Sequence, residues 1–168
     1  MIPEIKKILC TTDMSENARY AFEYAVSLAN QYGAGITLLH VLEDMSPYRD
    51  SLMMNILGEE KWKGLLETNK EKLIQDLKDQ LGKFCDTVSA QLPACPFITD
   101  DIIVKIGNPV EAILEQAKKM DCDLVVMGTH GHGILGDAMI GGVSRRVVRR
   151  CKKPVLVVPL PDKRGLMP

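Results

Sequence analysis

The sequence lacks the marks of a secreted, metal-stapled or membrane-spanning chain. Its 5 cysteines are an odd number and no Cys-x-x-Cys spacing occurs, which favours reduced cytosolic thiols over a disulfide framework or a zinc knuckle. Residues 1–7 hold no apolar leader segment, and no apolar stretch approaches the ~20 residues that span a bilayer. We therefore expect a cytoplasmic protein without a membrane partner.

The chain also has no large excess of charge of either sign. The 21 Lys and Arg residues face 22 Asp and Glu residues, for a formal net charge of −1, so no overall field attracts nucleic acid and we expect no nucleic-acid partner. The Gly-Lys-Ser/Thr end of a Walker motif is absent as well. One basic run is the local exception and suits either a solvated helix face or an anion patch: Arg145, Arg146, Arg149, Arg150, Lys152 and Lys153.

What the chain does contain is a regular alternation of short apolar runs and amphipathic stretches, in 168 residues that suit one domain. The apolar runs predict strands at residues 8–10, 36–41, 102–104, 124–127 and 155–158. Because helical spacing lies between them, the pattern predicts an α/β fold: a single-domain, open, parallel five-stranded sheet with helices on both faces. We expect the strand order 3-2-1-4-5, with the domain over residues 1–160 and a short tail over residues 161–168.

Several helix boundaries and core positions follow from local patterns. Ser15 is a candidate N-cap, and Asn108, Pro109 and Glu111 predict a helix that begins with a capping box. A long amphipathic helix ends before residue 93, and its predicted buried stripe is Leu66, Leu73, Leu77, Leu81, Phe84 and Val88. Residues 43–58 are less regular, and the methionines of residues 43–64 suit a mobile lid, a partner surface or core packing. Apolar neighbours indicate that Cys10 and Cys122 are core residues and not nucleophiles.

The segment from Gly128 to Ser144 carries the strongest functional pattern. Its glycines allow tight turns that bring backbone N–H groups close to an anion. Gly141-Gly142 opens the last helix, whose N-terminus favours phosphate. The polar run Thr11-Thr12-Asp13 follows strand 1, so both loops meet where open sheets bind ligands. The segment therefore indicates a phosphate-bearing ligand; the alternative is a long connector whose glycines serve only turns.

Two other patterns lie inside this segment. Residues 131–136 read Gly-x-Gly-x-x-Gly, but they follow the fourth strand, and no acidic residue stands about 20 positions further on, as a dinucleotide site requires. His130 and His132, with Asp137, suit either a structural or phosphate-adjacent role or a transition-metal site. We predict neither a bound dinucleotide nor a dedicated metal site.

Several segments, taken in order, carry a family resemblance. Residues 6–15 read Lys-Lys-Ile-Leu-Cys-Thr-Thr-Asp-Met-Ser, residues 38–41 read Leu-Leu-His-Val, and Gly-Asn-Pro and Pro-Val-Leu-Val-Val follow at residues 107–109 and 154–158. Gly128-x-x-Gly131, then nine residues, then Gly141 completes the set. In these segments, over roughly residues 4–160, the chain resembles the universal stress protein family, and the glycine spacing is similar to the ATP-binding signature of that family.

The resemblance implies that ATP is held at the carboxyl ends of strands 1, 2 and 4, with Mg²⁺ able to ride on its phosphates. It places Asp13 by the ribose and adenine, although a helix cap is the alternative role, and it places Val41 against the adenine. Backbone N–H groups of the glycines would hold the phosphates. The implied binding positions are Thr11, Thr12, Asp13, Val41, Met127, Gly128, His130, Gly131, Gly141, Gly142, Val143 and Ser144. No catalytic residue is assigned.

The chain departs from the family signature at Gly142, where ATP-binding relatives carry a serine or threonine whose hydroxyl meets the phosphates. A hydrogen bond to a charged group contributes about 1.5–3 kcal/mol, so we expect phosphate binding to rest on backbone donors and to be weaker for that reason. Ser144, two positions along, is a candidate for a replacement hydroxyl.

The favoured function is an adenine-nucleotide-binding stress or signalling module, dimeric through the exposed last strand, residues 154–158. Two alternatives stay open: a slow ATP-hydrolysing enzyme, and a family member that lacks tight ATP binding and acts as a dimeric interaction module. ATP, ADP and AMP are all candidate ligands. A phospho-accepting receiver domain is excluded, because Asp13 has no second acid beside it and strand 5 ends in Val158-Pro159 without the required lysine.

Overall fold

The computed structural model describes residues 1–43, 47–91, 98–129 and 140–161. In chain order, the elements within these ranges are β1 (Lys7–Thr12), α1 (Glu16–Tyr32), β2 (Gly35–Leu42), α2 (Pro47–Leu57), α3 (Glu59–Gln91), β3 (Ile98–Ile106), α4 (Pro109–Lys119), β4 (Leu124–Gly128), α5 (Gly142–Arg150) and β5 (Val155–Val158). Every helix in the described ranges is too short or too polar to cross a bilayer.

The sheet confirms the predicted fold class and strand order. Its order is β3-β2-β1-β4-β5, and every neighbouring pair is parallel. Each strand-to-strand connection therefore crosses over through a helix, as parallel pairing demands. Because β1 lies in the middle, between β2 and β4, the chain direction across the sheet reverses there, and this reversal creates a crevice at the carboxyl ends of the strands.

Two apolar cores, one on each face of the sheet, hold the helices in place. On β1, Ile8 and Cys10 point into the core shared with α1 and α3, whereas Leu9 points into the core shared with α4 and α5. All three side chains are fully buried, as expected for a parallel strand covered on both faces. Cys10 and Cys122 are confirmed as core residues, and burial raises the pKa of the Cys122 thiol to about 11.

The predicted helix starts are present, with one difference in the capping box. The Ser15 hydroxyl accepts from the Ala18 N–H at 3.1 Å, and the Asn108 side chain accepts from the Glu111 N–H at 3.1 Å. The Glu111 carboxylate, however, accepts from both terminal nitrogens of Arg150, at 2.6 and 3.2 Å. This ion pair joins α4 to α5, so the glutamate serves a tertiary contact where the sequence suggested a local one.

The region between β2 and β3 differs most from the prediction. Residues 43–58, interpreted as irregular, contain the helix α2, which buries none of its residues and so shows no buried stripe in the sequence. On α3, Leu81 and Val88 are buried as predicted, but Leu73 is 46% exposed, so the stripe was wrong there. A helix of 33 residues is about 50 Å long, which exceeds the length of the strands that it packs against, and only its C-terminal half meets the core.

Candidate functional site

The carboxyl ends of β1, β2 and β4 open into one pocket with a volume of about 470 Å³. This volume lies within the usual range for small-molecule sites, about 300–1,000 Å³. Its floor is the sheet edge where β1 separates β2 from β4, and its far wall is the first turn of α5, which begins at Gly142. The pocket therefore occupies the crevice at the switch point of the sheet.

The pocket collects the predicted binding positions that lie within the described residues. They come from β1 and its loop, from β2, from β4 and from the start of α5: Thr11, Thr12, Asp13, Val41, Met127, Gly128, Gly141, Gly142, Val143 and Ser144. Two further predicted positions, His130 and Gly131, lie outside the described residues, as do His132 and Asp137. The two loops that the sequence singled out are thus brought to the same pocket.

Several lining residues were missed by the sequence reasoning. The first turns of α4 contribute Pro109 and Ile113, the second half of β2 contributes Leu39 and His40, and the residue after β2 contributes Glu43. Ile113 is buried, and its place at the pocket was not expected. A helix after one strand reaches the end of a different strand only through the crossover, and nothing local in the sequence shows that approach.

The loop after β1 is held by its own polar side chains. The Thr12 hydroxyl accepts from the Met14 N–H at 3.0 Å, and the Asp13 carboxylate accepts from the Ser15 N–H at 2.9 Å. Met14 adopts φ 64°, a left-handed conformation that few residues other than glycine adopt. The turn thereby holds Asp13 at the pocket wall. The side chain that caps α1 is that of Ser15, which accepts from the Ala18 N–H, whereas Asp13 bonds to the N–H of the residue before the helix.

A buried histidine ties β2 to the same loop. His40 is 7% exposed, and its Nδ1–H donates to the Thr12 carbonyl oxygen over 2.8 Å. Because a carbonyl oxygen only accepts, this contact sets which ring nitrogen carries the proton. The end of β2 and the start of the β1 loop are therefore held at a constant spacing across the pocket floor.

The opposite wall is the N-terminus of α5. Gly141 caps this helix with backbone alone, and the first-turn residues Gly142, Val143 and Ser144 line the pocket. The leading N–H groups of a helix lack intrahelical partners and carry the positive end of the helix dipole. This wall can therefore donate hydrogen bonds to an anion.

The electrostatic character of the pocket changes from one side to the other. Its charged lining residues within the described ranges are Asp13 and Glu43, both acidic and both on the side of β1 and β2. No lysine or arginine of the described residues lines it. Hydroxyl and amino groups of a ligand suit the acidic side, because they can donate hydrogen bonds to carboxylates. An anionic group suits the α5 side. The described part of the chain contains no group of three or more His, Cys, Asp or Glu side chains that could hold a metal.

Comparison with known proteins agrees with this architecture. The sequence model of the universal stress protein family matches residues 4–159, and the chain belongs to that family. Universal stress protein MJ0577 of Methanocaldococcus jannaschii is 32% identical over 153 residues, which cover 91% of this chain and 94% of that protein. A solved structure of protein MJ0577 superposes with a TM-score of 0.73 at 26% identity, and covers 96% of this chain and 100% of that one.

Two more distant solved structures contain nucleotides. One is a universal stress protein family protein from Arabidopsis thaliana with AMP bound (19% identity, TM-score 0.55, 95% of this chain and 94% of that one). The other is a universal stress protein in complex with cAMP (21% identity, TM-score 0.56, 94% of this chain and 98% of that one). At these identities the likeness establishes a common fold.

Proposed function

We propose that this protein binds an adenine nucleotide, ATP being the expected ligand, in the pocket at the carboxyl ends of β1, β2 and β4. The observation that carries the proposal is that two separate polar and glycine-rich segments, which begin at Thr11 and Gly128, line one cavity of suitable volume. The nucleotides in the two distant family structures, AMP and cAMP, support the same ligand class. We propose that the protein acts in the cytoplasm in stress signalling, in line with its family.

Each part of the nucleotide has a chemically suitable wall. Val41 and Met127, apolar residues of the lining, suit the adenine ring, and the Asp13 carboxylate suits the ribose hydroxyls as an acceptor. The phosphates suit the first turn of α5, where backbone N–H groups and the helix dipole can stabilise negative charge. No lysine or arginine of the described residues is needed in the lining for this. A magnesium ion would then ride on the phosphates with few protein ligands.

The test is direct detection of bound nucleotide, followed by titration. Freshly purified protein is denatured and the released small molecules are identified by mass spectrometry; apo protein is then titrated with ATP, ADP and AMP by calorimetry. We expect an adenine nucleotide in the first measurement and saturable binding in the second. Absence of nucleotide together with no heat of binding for all three ligands would sink the proposal.

A charge substitution at the phosphate wall locates the site. A Cβ placed on Gly142 would meet no atom of the described residues within 4 Å outside its own helix turn, so this position can carry a side chain, and Gly142→Glu and Gly142→Gln differ in a single charge. We expect G142E to abolish measurable ATP binding by repulsion from the phosphates, and G142Q to retain it. Equal affinities for the two variants would place the phosphates elsewhere.

We also propose that the protein forms a homodimer through the free edge of β5. In the described sheet, β5 pairs on one side only, with β4. The carbonyl groups of Pro154 and Val158 accept from the N–H groups of Val125 and Thr129, at 2.9 and 3.2 Å. Because backbone groups alternate in direction along a strand, the Val157 N–H points away from β4 to the open edge, and an open edge invites pairing.

A proline at that position tests the interface. Val157→Pro removes one outward donor, a substitution that edge strands tolerate, whereas Val157→Ala keeps the donor. We expect a dimer by multi-angle light scattering at micromolar concentration for wild type and V157A, and a monomer for V157P. A strictly monomeric wild-type protein would contradict the dimer.

A further inference from the structure

The glycine-rich segment leaves the sheet at Thr129, the residue after β4, and this residue is bound from both faces of the sheet. Thr129 is 9% exposed. Its N–H donates to the Val158 carbonyl oxygen of β5 at 3.2 Å, and its own carbonyl oxygen accepts from the Gly141 N–H at 2.6 Å. The backbone on the two sides of residues 130–140 is therefore joined directly, at the point where α5 begins.

On the face covered by α1, Asn17 connects three elements. Its Nδ2 donates to the Val158 carbonyl oxygen at 3.0 Å, and its Oδ1 accepts from the Thr129 hydroxyl at 3.2 Å. Asn17 is 6% exposed, so both bonds are shielded from water and their loss leaves buried polar groups without those partners. The first turn of α1, which follows the Asp13 loop, is thus attached to the ends of β4 and β5.

The glycine that ends β4 is explained by this asparagine. A Cβ built on Gly128 would lie 2.7 Å from the Asn17 Oδ1 and 2.8 Å from its Cγ, and the third nearest atom also belongs to Asn17. Real Cβ atoms do not approach other heavy atoms so closely, so any larger residue at position 128 displaces the Asn17 side chain. The first glycine of the Gly128, Gly131, Gly141 spacing therefore provides room for a protein side chain.

On the other face, α5 holds the same junction. The Ser144 hydroxyl donates to the Gly128 carbonyl oxygen at 2.8 Å, and it lies 3.3 Å from the Thr129 carbonyl oxygen. Its single hydrogen is thereby directed at the protein backbone. Ser144 thus stabilises the junction in place of the phosphate-binding hydroxyl considered from the sequence.

We infer that Asn17, Thr129 and Ser144 form a latch that positions the first turn of α5, and with it the phosphate-binding N–H groups, relative to the Asp13 loop. This inference rests on the proposed nucleotide site. Asn17 binds the junction from the α1 side and Ser144 from the α5 side, so the two walls of the pocket are connected through Thr129. These three are positioning residues: they set the distance between the groups that would hold the ribose and the phosphates.

The latch is tested by removing one hydroxyl while the shape is kept. Thr129→Val deletes the hydroxyl that bonds to Asn17, whereas the control variant Thr129→Ser keeps a hydroxyl at this position. At a temperature where all variants are folded, we expect T129V to bind ATP about fivefold to tenfold more weakly, because only a fraction of the free protein then holds the two walls at the binding distance, and T129S to bind within about twofold of wild type. We also expect faster hydrogen exchange at the Gly141–Ser144 amides in T129V alone.

A stability cycle tests the same latch without nucleotide. Gly128→Ala is expected to lower Tm by about 5–10 °C in the wild-type background, because Asn17 must move. In an Asn17→Ala background the alanine has room, and we expect less than half of that drop. Two results together would overturn the latch, even if ATP binds. The first is a hydrogen exchange rate at the Gly141–Ser144 amides of T129V equal to that of wild type. The second is an equal loss of Tm from Gly128→Ala in the wild-type and Asn17→Ala backgrounds. Wild-type protein that binds no ATP would instead remove the proposed function, while the exchange and stability results still decide the latch.

Discussion

Substitution of Gly142 by serine should tighten ATP binding, because it supplies the hydroxyl that the phosphate wall lacks. Gly142 is the first residue of α5 and lines the pocket. A Cβ at this position would meet no atom of the described residues within 4 Å outside its own helix turn, and Gly142 does not adopt a positive φ, so the serine enters without backbone strain and without displacing a described side chain. The new side chain stands beside the N–H groups proposed to hold the phosphates.

The size of the effect follows from the charge on the ligand. A hydrogen bond to a charged group contributes about 1.5–3 kcal/mol, which corresponds to a roughly 10- to 150-fold lower Kd. Gly142→Ala is the matched control, since it adds the same Cβ and the same loss of backbone freedom without a hydroxyl. Both variants should gain stability, by about 0.4–1 kcal/mol from the unfolded state, whereas only G142S should gain affinity.

The assay is calorimetric titration of wild type, G142A and G142S with ATP, at constant magnesium and ionic strength. We expect the order of affinity G142S > G142A ≈ wild type. The reasoning is refuted if G142S and G142A bind ATP equally, because the hydroxyl would then not reach the phosphates, and the helix N-terminus would not be the phosphate wall. A parallel gain in both variants would trace the effect to helix preorganisation.

Three further outcomes test the fold around the site. Asn108→Ala removes the acceptor of the Glu111 N–H and should lower the free energy of unfolding by about 0.5–2 kcal/mol in urea titrations, with N108S as the conservative control. Burial raises the pKa of Cys122 to about 11, so iodoacetamide at pH 8 should leave it unmodified in native protein and alkylate it in urea; native-state labelling would contradict its core position. Arg150 lowers the pKa of Glu111 below its usual value of 4.5 through a hydrogen bond and its charge, so the small stability advantage of wild type over Glu111→Gln should be present at pH 7, disappear as pH falls through the folded pKa, and shrink in high salt. An advantage that persists at pH 2 would show that the ion pair is not its source.

Much of the fold was accessible from local patterns. Largely apolar runs such as residues 36–41 and 124–127 indicate strands buried on both faces, and helical stretches between them leave parallel pairing as the arrangement. Cap residues are equally local: Ser15 and Asn108 bond to N–H groups three positions further along. Where a helix has no buried side chain, as in α2, this signal vanishes, and the helix was missed for that reason.

The candidate site was predicted in its parts, and the described residues bring those parts to one pocket. The polar turn at Asp13 and the glycines at 141 and 142 each have a chemistry that sequence displays. Their shared pocket follows from the strand order, which alternation and crossover rules already favoured. The sequence did not predict Pro109 and Ile113 as lining residues, because their approach to the pocket depends on how α4 crosses back over the sheet.

The sequence by itself therefore determined the strands, the helices that bury an apolar face and the glycine spacing, since each depends on residues close together in the chain. Tertiary structure alone decided the roles that depend on contacts across the fold. Asn17 meets Val158 from 141 positions away, and Ser144 reaches back 16 positions to Gly128. Steric exclusion at Gly128 and the direction of the Ser144 hydroxyl are properties of packed neighbours, and a periodic pattern of hydrophobicity carries no information on which polar side chains will become neighbours.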